Sequence, residues 1–445
     1  MLKTKKFIYI IILTLFLLIG CNHKDGYDKN IKPSEIRESQ TTNEIALTNL
    51  NLGIAYLKEG DYNKALEKLK KSLSADSDYA PTYNVLGLLY QLLGDNNKAE
   101  ENFKRALAIN NIDSSTLNNY GNSLKGLNCF EEALFFYKKT LELKPDFIDA
   151  INNMGNCLTA MGSLEEAFKS FNKALSINPN HVNANWNLGL LQLLVGDFEN
   201  GWKNYEWRKK RNTIKNKYIQ NLDKEWVGQT SIKNKKIYIY KEQGLGDYIQ
   251  FSRYLLSINK LGAQIILDTP TSLKKLIESL EINFEFIDRL KDRSFDYYCS
   301  IMSLAFAFKT NIETIPNKTP YLFAEKNKET SWKEKIKNNT KKIGLCWSCN
   351  PKNLTVLNRS IPLKKLIPIL ELPFSFHSLQ IEIDEDDKKI FNQYKNLFNH
   401  KKEVIGFDNT AALIKNLDVV ITIDTSIAHL AGALGKKVWV LLPFT

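Results

Sequence analysis

Glycine recurs at a fixed interval of 34 residues through the first half of this sequence, at Gly53, Gly87, Gly121, Gly155 and Gly189. Alanine and a large apolar residue follow the same interval, as Ala65, Ala99, Ala133 and Ala167, and as Leu69, Phe103, Tyr137 and Phe171. A unit this short cannot bury its own hydrophobic face, so neighbouring units must stack. The interval therefore predicts an array of five similar units rather than one compact core.

The spacing is typical of tetratricopeptide (TPR) repeats, in which each unit is a pair of antiparallel helices. Turn signals such as Gly60-Asp61 and Gly94-Asp95 separate the two helices of a unit. We predict five TPR repeats over residues 43–212, forming an all-α superhelix. In the fifth repeat Gly201 replaces the alanine, and three aromatic residues, Trp202, Tyr205 and Trp207, follow it. We interpret that segment as the joint to the next domain rather than as a ligand-binding aromatic box.

Asparagine is frequent in the first helices of the repeats, at Asn118, Asn119, Asn122, Asn152, Asn153, Asn156, Asn183, Asn185 and Asn187. Two interpretations remain open. A concave face lined by amides can bind an extended protein or peptide partner, or a glycan, through its donors and acceptors. The alternative is a solvated helix face without a ligand.

The first residues have the pattern of a signal peptide. Lysines precede an apolar run over residues 7–19, and the run stops at Gly20-Cys21. This ending resembles a lipobox, in which the cysteine receives a diacylglycerol. We predict a signal peptide over 1–21, lipidation of Cys21, a flexible linker over 22–42 and a membrane-anchored lipoprotein on the periplasmic or surface side. An uncleaved signal anchor is the alternative.

Charge and cysteine usage exclude several classes. The net charge of +12 comes from lysines scattered along the chain, without a compact basic block, so we predict no nucleic-acid partner. Five cysteines remain after Cys21, and an odd number at irregular spacing argues against a disulfide framework. Cys346 and Cys349 form a lone C-x-x-C without a second pair, so we predict no metal site, with metal or redox use as the minor alternative.

Beyond residue 230 the periodicity changes to alternating strands and helices, which predicts parallel α/β folding. One Rossmann-like unit covers 231–325, and a second covers 341–445, where Val404-Ile405 is one of the predicted strands. Ligands bind at the carboxyl ends of the strands in such sheets. The first strand-turn-helix has no Walker lysine, and Ile249 stands where a dinucleotide fingerprint requires its third glycine.

Four segments carry a family resemblance: Glu242-Gln243-Gly244-Leu245-Gly246-Asp247, Arg359-Ser360-Ile361-Pro362-Leu363, Ser378-Leu379-Gln380, and residues 424–435, which begin Asp424-Thr425-Ser426. Together they resemble the TPR-fused branch of the family 9 (heptosyltransferase-like) glycosyltransferases, over residues 44–444. The resemblance implies an α + α/β chain with a GT-B pair of Rossmann-like domains after the TPR superhelix. It further implies a nucleotide-sugar donor, a glycan or protein acceptor, and inverting transfer without a metal or other cofactor.

Asp247 is the predicted catalytic base, because inverting transfer needs a group that accepts the proton of the acceptor hydroxyl. The alternative role for Asp247 is the N-cap of the following helix. Gly244 and Gly246, which precede it in the same turn, are predicted to line the donor site.

Asp424, Thr425 and Ser426 join a buried strand to a helix whose amino end can hold a diphosphate. By the resemblance, His429 one turn later contacts the phosphates; the alternative is a core histidine bonded to backbone.

Arg359 and its neighbour Ser360 are the predicted partners of the departing diphosphate. The guanidinium group is a fixed charge whose forked donors match phosphate oxygens.

Some features depart from the resemblance. Val356-Leu357 replace a usual Asp-Arg pair, Cys349 replaces a glycine, and the sequence stops at Thr445, which predicts a truncated second domain. An export signal also conflicts with a donor made in the cytoplasm. The sequence therefore leaves two functions open: an inverting glycosyltransferase, or a membrane-anchored TPR scaffold with an inactive glycosyltransferase-like module.

Overall fold

The computed structural model describes residues 42–211, 224–242, 244–287, 294–349 and 359–442. They form two compact units that divide near residue 215. The predicted signal peptide with Cys21, the linker up to residue 41, Gln243 and Val356-Leu357 lie outside the described residues. No helix in the described part of the chain is long and apolar enough to cross a membrane.

The first unit is entirely helical in its described part, with five antiparallel helix pairs in chain order. The helices are α1 (Thr42–Glu59), α2 (Tyr62–Ala75), α3 (Ala80–Leu93), α4 (Asn96–Ile109), α5 (Ser114–Gly126), α6 (Phe130–Leu143), α7 (Ile148–Ala160), α8 (Leu164–Ile177), α9 (Val182–Leu194) and α10 (Phe198–Tyr205), followed by a 3-10 turn, Glu206–Lys210. The sequence prediction of an all-α repeat region is confirmed.

Local chemistry explains where the second helices begin. The Asp61, Asp95 and Asp197 carboxylates each accept a backbone N–H three residues later, which caps α2, α4 and α10. Before the second of these caps, Gly94 ends α3 at φ 79°, a left-handed conformation that glycine adopts without strain. This aspartate cap therefore recurs in three of the five repeats, whereas Cys129 and Ser163 at the equivalent positions make no side-chain cap bond.

The recurring glycines have a direct steric cause. A Cβ atom on Gly87 would lie 2.6 Å from the Phe103 ring, and one on Gly155 would lie 2.6 Å from the Phe171 ring. Each ring is fully buried in the second helix of the same repeat. The glycine and the aromatic residue therefore form one close helix contact, repeated along the array.

The second unit contains two parallel sheets, with strand orders β3-β2-β1-β4 and β7-β6-β5-β8-β9. The strands are β1 (Lys236–Tyr240), β2 (Gln264–Leu267), β3 (Phe284–Phe286), β4 (Tyr297–Ser300), β5 (Lys342–Cys346), β6 (Ser375–Ser378), β7 (Leu397–Asn399), β8 (Val419–Ile423) and β9 (Val438–Leu441). The helices are α11 (Leu245–Phe251), α12 (Arg253–Lys260), α13 (Lys274–Ile277), α14 (Leu304–Ala307), α15 (Lys326–Lys335), α16 (Ile367–Leu370), α17 (Glu385–Phe391), α18 (Phe407–Lys415) and α19 (Ser426–Ala433).

The central strands of both sheets are buried on both faces, as parallel sheets covered by helices require. The α/β prediction is confirmed at this level. One predicted strand is wrong: Val404 and Ile405 are not extended, because the backbone N–H of Val404 turns back to the carbonyl of His400. The strand in that region is β7, which ends just before His400.

Candidate functional site

Two helices meet at the carboxyl ends of the sheets of the second unit. α11 follows β1 and α19 follows β8, and the two helices pack against each other. A Cβ atom on Gly246 would lie 2.6 Å from Cδ2 of His429 and 3.4 Å from Cα of Ser426. Glycine at this position therefore allows the close approach that brings the two predicted halves of the site together.

Asp247 occupies the first turn of α11, and its carboxylate lies over Gly244. Gly244 has a φ of 101°, and a Cβ atom there would lie 2.3 Å from Oδ2 of Asp247. Both facts require glycine at position 244. Gly244, rather than Asp247, is the N-cap residue of the helix. The alternative interpretation of Asp247 as the N-cap is therefore wrong.

The charges around Asp247 form one coupled group. Burial raises the pKa of Asp247; the charges of Asp424 and Glu242 reinforce this rise, and His429 and Arg359 oppose it. Burial also lowers the pKa of His429, against the opposing charges of Asp247 and Asp424. At neutral pH a neutral imidazole therefore lies beside the Asp247 carboxyl group.

Thr425 begins α19. Its hydroxyl oxygen accepts the backbone N–H of Ile427 at 3.3 Å and lies 3.3 Å from the hydroxyl of Thr422. Ser426 is the first helical residue, so the amino end of α19 lies at the same edge as Asp247. This arrangement is suited to an anion, because free N–H groups and the helix dipole favour negative charge there.

Arg359 lies at this end of the unit, paired with Asp424. Nη1 of Arg359 is 3.0 Å from Oδ2 of Asp424, and the two side chains are 46% and 40% exposed. An ion pair this exposed adds little stability, so the guanidinium group can exchange partners. The hydroxyl of Ser360 accepts the backbone N–H of Cys349 at 3.0 Å, which fixes the loop next to Arg359.

The C-x-x-C cysteines are buried, and burial raises the pKa of Cys346 to about 11. A protonated thiol is a poor metal ligand and a poor nucleophile. Within the described ranges, no group of three or more His, Cys, Asp or Glu side chains is arranged to hold a metal ion.

Sequence reasoning missed two parts of this region. The hydroxyl of Ser300, at the end of β4, contacts the Glu242 carboxylate that follows β1. Tyr321 ties the two helices together: its hydroxyl donates to the carbonyl of Ile249 at 3.0 Å, and its backbone N–H donates to the carbonyl of Ala433 at 3.0 Å. Only the recognition that residues 297–300 form a strand could have placed Ser300 at this edge.

A separate cavity of about 710 Å³ lies at the opposite, amino ends of β1, β2 and β3, lined by Lys236, Gln264 and Phe284 among others. None of the predicted site residues lines it. Because ligands of parallel sheets bind at the carboxyl ends, we do not assign the predicted chemistry to this cavity.

The asparagines of the first unit form rungs between successive first helices. Nδ2 of Asn119 donates to Oδ1 of Asn84 at 3.1 Å, and the same bond joins Asn153 to Asn118 at 3.2 Å and Asn187 to Asn152 at 2.9 Å. Successive first helices are also in closer contact than successive second helices. The first helices therefore line the inner side of the array.

Comparison with known families identifies the repeats of the first unit. Residues 44–112 and 148–181 match the tetratricopeptide repeat family. The first unit is a TPR array. TPR repeats support a protein-interaction role, with a protein or peptide as the partner.

Individual relatives resemble parts of the chain. Protein FlbA of Caulobacter vibrioides is 24% identical over an alignment of 243 residues, and the match covers 48% of this chain and 40% of FlbA. Among solved structures, the type IV pilus biogenesis factor PilW is 26% identical (38% of this chain, 78% of PilW, TM-score 0.36). Pseudomonas aeruginosa pilF is 19% identical (50% and 88%, TM-score 0.38), and YrrB, a TPR protein with an unusual peptide-binding site, is 23% identical (38% and 86%, TM-score 0.30).

Proposed function

We propose that this TPR protein is glycosyltransferase-like and transfers a sugar, with inversion, from a nucleotide-sugar donor to a glycan or protein acceptor. The observation that supports this proposal is the meeting of α11 and α19, which sets Asp247 beside His429 at the carboxyl ends of two parallel sheets. Ligands of open parallel sheets bind at this edge. A GT-B relation between the two sheets and transfer without a catalytic metal belong to the same proposal.

Asp247 is the base of the proposed reaction. It accepts the proton of the acceptor hydroxyl as that oxygen attacks the anomeric carbon of the donor, and the bond from that carbon to the nucleoside diphosphate breaks. The raised pKa of Asp247 makes it a stronger base than an ordinary carboxylate. Glu242 and Ser300 lie on the same sheet edge and would contact the acceptor side.

The donor diphosphate would lie against the amino end of α19. Thr425 and Ser426 supply the helix start, His429 supplies a neutral imidazole N–H, and Arg359 supplies the positive charge. Binding the diphosphate requires Arg359 to exchange its contact with Asp424 for phosphate oxygens.

Titration calorimetry of the full chain with a panel of nucleotide sugars tests this proposal. We expect saturable binding, which Asp247→Asn retains while it abolishes turnover, because an amide cannot accept the proton. Arg359→Ala and His429→Ala should each weaken binding about tenfold, since each removes one contact to the diphosphate. Lys365→Ala removes a charge at an exposed position shortly after Arg359 in the sequence; it is the matched control and should leave affinity unchanged.

The absence of saturable binding to every nucleotide sugar would refute the transferase proposal. The second candidate, an interaction scaffold with an inactive module, would then stand alone. The amide rungs along the inner side of the TPR array favour a polypeptide ligand under either candidate, because side-chain amides can pair with backbone N–H and C=O groups.

We further propose that Cys21 carries the lipid anchor and that the protein is a membrane-attached lipoprotein on the periplasmic or surface side. The support is the lysine-rich start, the apolar run and the Gly20-Cys21 ending. In that compartment, a nucleotide sugar made in the cytoplasm would not reach the site. Evidence that the protein is exported would therefore count against the transferase activity, and demonstrated transferase activity would count against export.

A further inference from the structure

A buried carboxylate outside the proposed site holds the segment that carries Arg359. Asp387 lies in the first turn of α17, and its side chain is 5% exposed. Its Oδ2 accepts the indole N–H of Trp347 at 2.6 Å, and its Oδ1 accepts the backbone N–H of Leu363 at 2.9 Å. Both partners are fully buried. One side chain therefore joins the residue that follows β5 to a residue shortly after Arg359.

Two backbone donors add to the same connection. The backbone N–H of Ile361 donates to the carbonyl of Trp347 at 2.8 Å. The hydroxyl of Ser360 accepts the backbone N–H of Cys349 at 3.0 Å. The backbone that follows Arg359 is therefore fixed by hydrogen bonds to buried residues, while the guanidinium group is 46% exposed and can contact a ligand.

The residues after β5 have an anchor of their own. Nε2 of Gln380 donates to the carbonyl of Ser348 at 2.8 Å, and Oε1 of Gln380 accepts the backbone N–H of Ser348 at 3.2 Å. Gln380 is buried at the end of β6, the strand next to β5. Since residues 347–349 are held by the sheet and by Gln380, the bonds to Trp347 and Cys349 set residues 360–363 relative to a rigid part of the unit.

Asp387 does not have the usual role of an acid at this helix position. Asp384 is the N-cap of α17, and it accepts the backbone N–H of Asp387 at 2.8 Å. In a capping box the third helical residue bonds back to the N-cap, but the two oxygens of Asp387 accept from Trp347 and Leu363. Burial of a carboxylate is costly, and an apolar side chain here would leave two buried N–H groups unpaired. The role of the carboxylate is therefore to hold these two groups.

We propose that Asp387 is a positioning residue for the donor diphosphate: it holds the backbone of residues 360–363 so that Arg359 points to the amino end of α19, beside Asp424. This inference rests on the proposed transferase function and adds a residue that does not touch the donor. A guanidinium group whose backbone is already fixed loses less conformational entropy when it binds a ligand. Loss of an Asp387 bond therefore weakens donor binding through Arg359.

Titration calorimetry of the full chain in a mild detergent tests the proposal with UDP, GDP and ADP, the diphosphates that nucleotide-sugar donors release. Asp387→Asn keeps the shape of the side chain but turns one acceptor into a donor, so it breaks one of the two bonds. We expect it to weaken the tightest of the three ligands about fivefold. Arg359→Ala should weaken that ligand about tenfold. The double variant should bind no more weakly than Arg359→Ala alone, because both changes act on one contact.

Asp408→Asn is the matched control. Asp408 is also a buried carboxylate in a helix of the second unit, and it pairs with Lys328 instead of the segment that carries Arg359. We expect Asp408→Asn to leave affinity unchanged. Hydrogen–deuterium exchange without ligand gives a readout that does not depend on binding: peptides that cover residues 361–363 should exchange faster in Asp387→Asn and not in Asp408→Asn.

A second variant approaches the same bond from its other end. Trp347→Phe removes the indole N–H and keeps an aromatic ring in the core, so it should weaken binding in the same direction as Asp387→Asn. Circular dichroism checks that each variant retains its fold, and Trp347→Phe decides the question if Asp387→Asn does not fold.

The outcomes separate the positioning role from the proposed function. Failure of all three diphosphates to bind the wild type would overturn the donor site and the positioning role with it. Wild-type binding that Asp387→Asn and Trp347→Phe leave unchanged would overturn the positioning role alone, and faster exchange over residues 361–363 would then be a purely structural effect. Losses that combine to about fiftyfold in the double variant would show that Asp387 acts independently of Arg359, which also overturns the proposal.

Discussion

A buried histidine pair makes the stability of the second sheet dependent on pH. Nδ1 of His377 on β6 lies 2.9 Å from Nε2 of His400, and the two side chains are 2% and 6% exposed. The His377 ring stacks on Phe398, and Trp332 packs edge-on against His400. Burial, with the charges of His400 and Lys342, lowers the pKa of His377 from 6.5 to about 4. Burial also lowers the pKa of His400.

The sign of the effect follows from which state binds the proton. Below pH 6.5 the unfolded chain takes up a proton on this imidazole, while the folded chain stays neutral until about pH 4. Stability from His377 is therefore fully present above pH 6.5 and is lost as the pH falls. The pKa of His377 is 6.5 in the unfolded chain and about 4 in the folded chain. At pH 5 this difference lowers the free energy of unfolding by about 2 kcal/mol, which raises the equilibrium constant for unfolding roughly thirtyfold.

Hydrogen–deuterium exchange of peptides that cover β6 and β7 measures this loss directly. Rates at pH 7.5 and pH 5 are corrected for intrinsic exchange, and peptides from the TPR array provide the internal reference. His377→Asn places an amide near the position of Nδ1 and does not titrate, so we expect it to remove most of the thirtyfold change. Equal loss of protection in the wild type and in His377→Asn would refute the reasoning.

Three further predictions concern other parts of the chain. Cys21→Ser should abolish labelling by a radioactive fatty acid, and equal label on both forms would contradict lipidation. A fragment over residues 41–211 should be helical by circular dichroism and melt cooperatively, because each repeat contacts only its neighbours; a strand-rich or unfolded spectrum would count against it. Gly155→Ala should destabilise the array by roughly 1–3 kcal/mol in urea titrations, because its Cβ meets the Phe171 ring. Gly432→Ala, at a helical site with open space, should be neutral or stabilising.

The parts of the fold that repeat locally could be predicted from sequence. The interval between the glycines predicted the helix pairs correctly. The reason is that the contact between Gly87 and Phe103 lies within one repeat, and the equivalent contact between Gly121 and Tyr137 lies within the next. The strands β4 and β7 escaped prediction, since both are short and neither is a continuous run of aliphatic residues. Val404-Ile405 was predicted as a strand because it is apolar, but a backbone turn after His400 prevents that conformation.

The candidate site was predictable where a motif marks the end of a strand. Asp247 and His429 follow β1 and β8, and parallel topology alone brings such ends to one edge. The ion pair of Arg359 with Asp424 and the contact of Ser300 with Glu242 depend on how loops from distant segments fold back.

The amide rungs also determine how such an array can change its length during evolution. Each rung joins two asparagines that are 35 positions apart in the sequence. Each rung also lies one repeat interval after the previous one, so the same pair of positions is bonded in successive repeats. Loss of residues 114–147 by unequal recombination would set Asn153 opposite Asn84 and recreate a rung of the original type. Duplication of the same block would add one rung in the same way. The inner surface can therefore lengthen or shorten in whole steps, and selection can fit it to a longer or shorter partner without redesigning any interface.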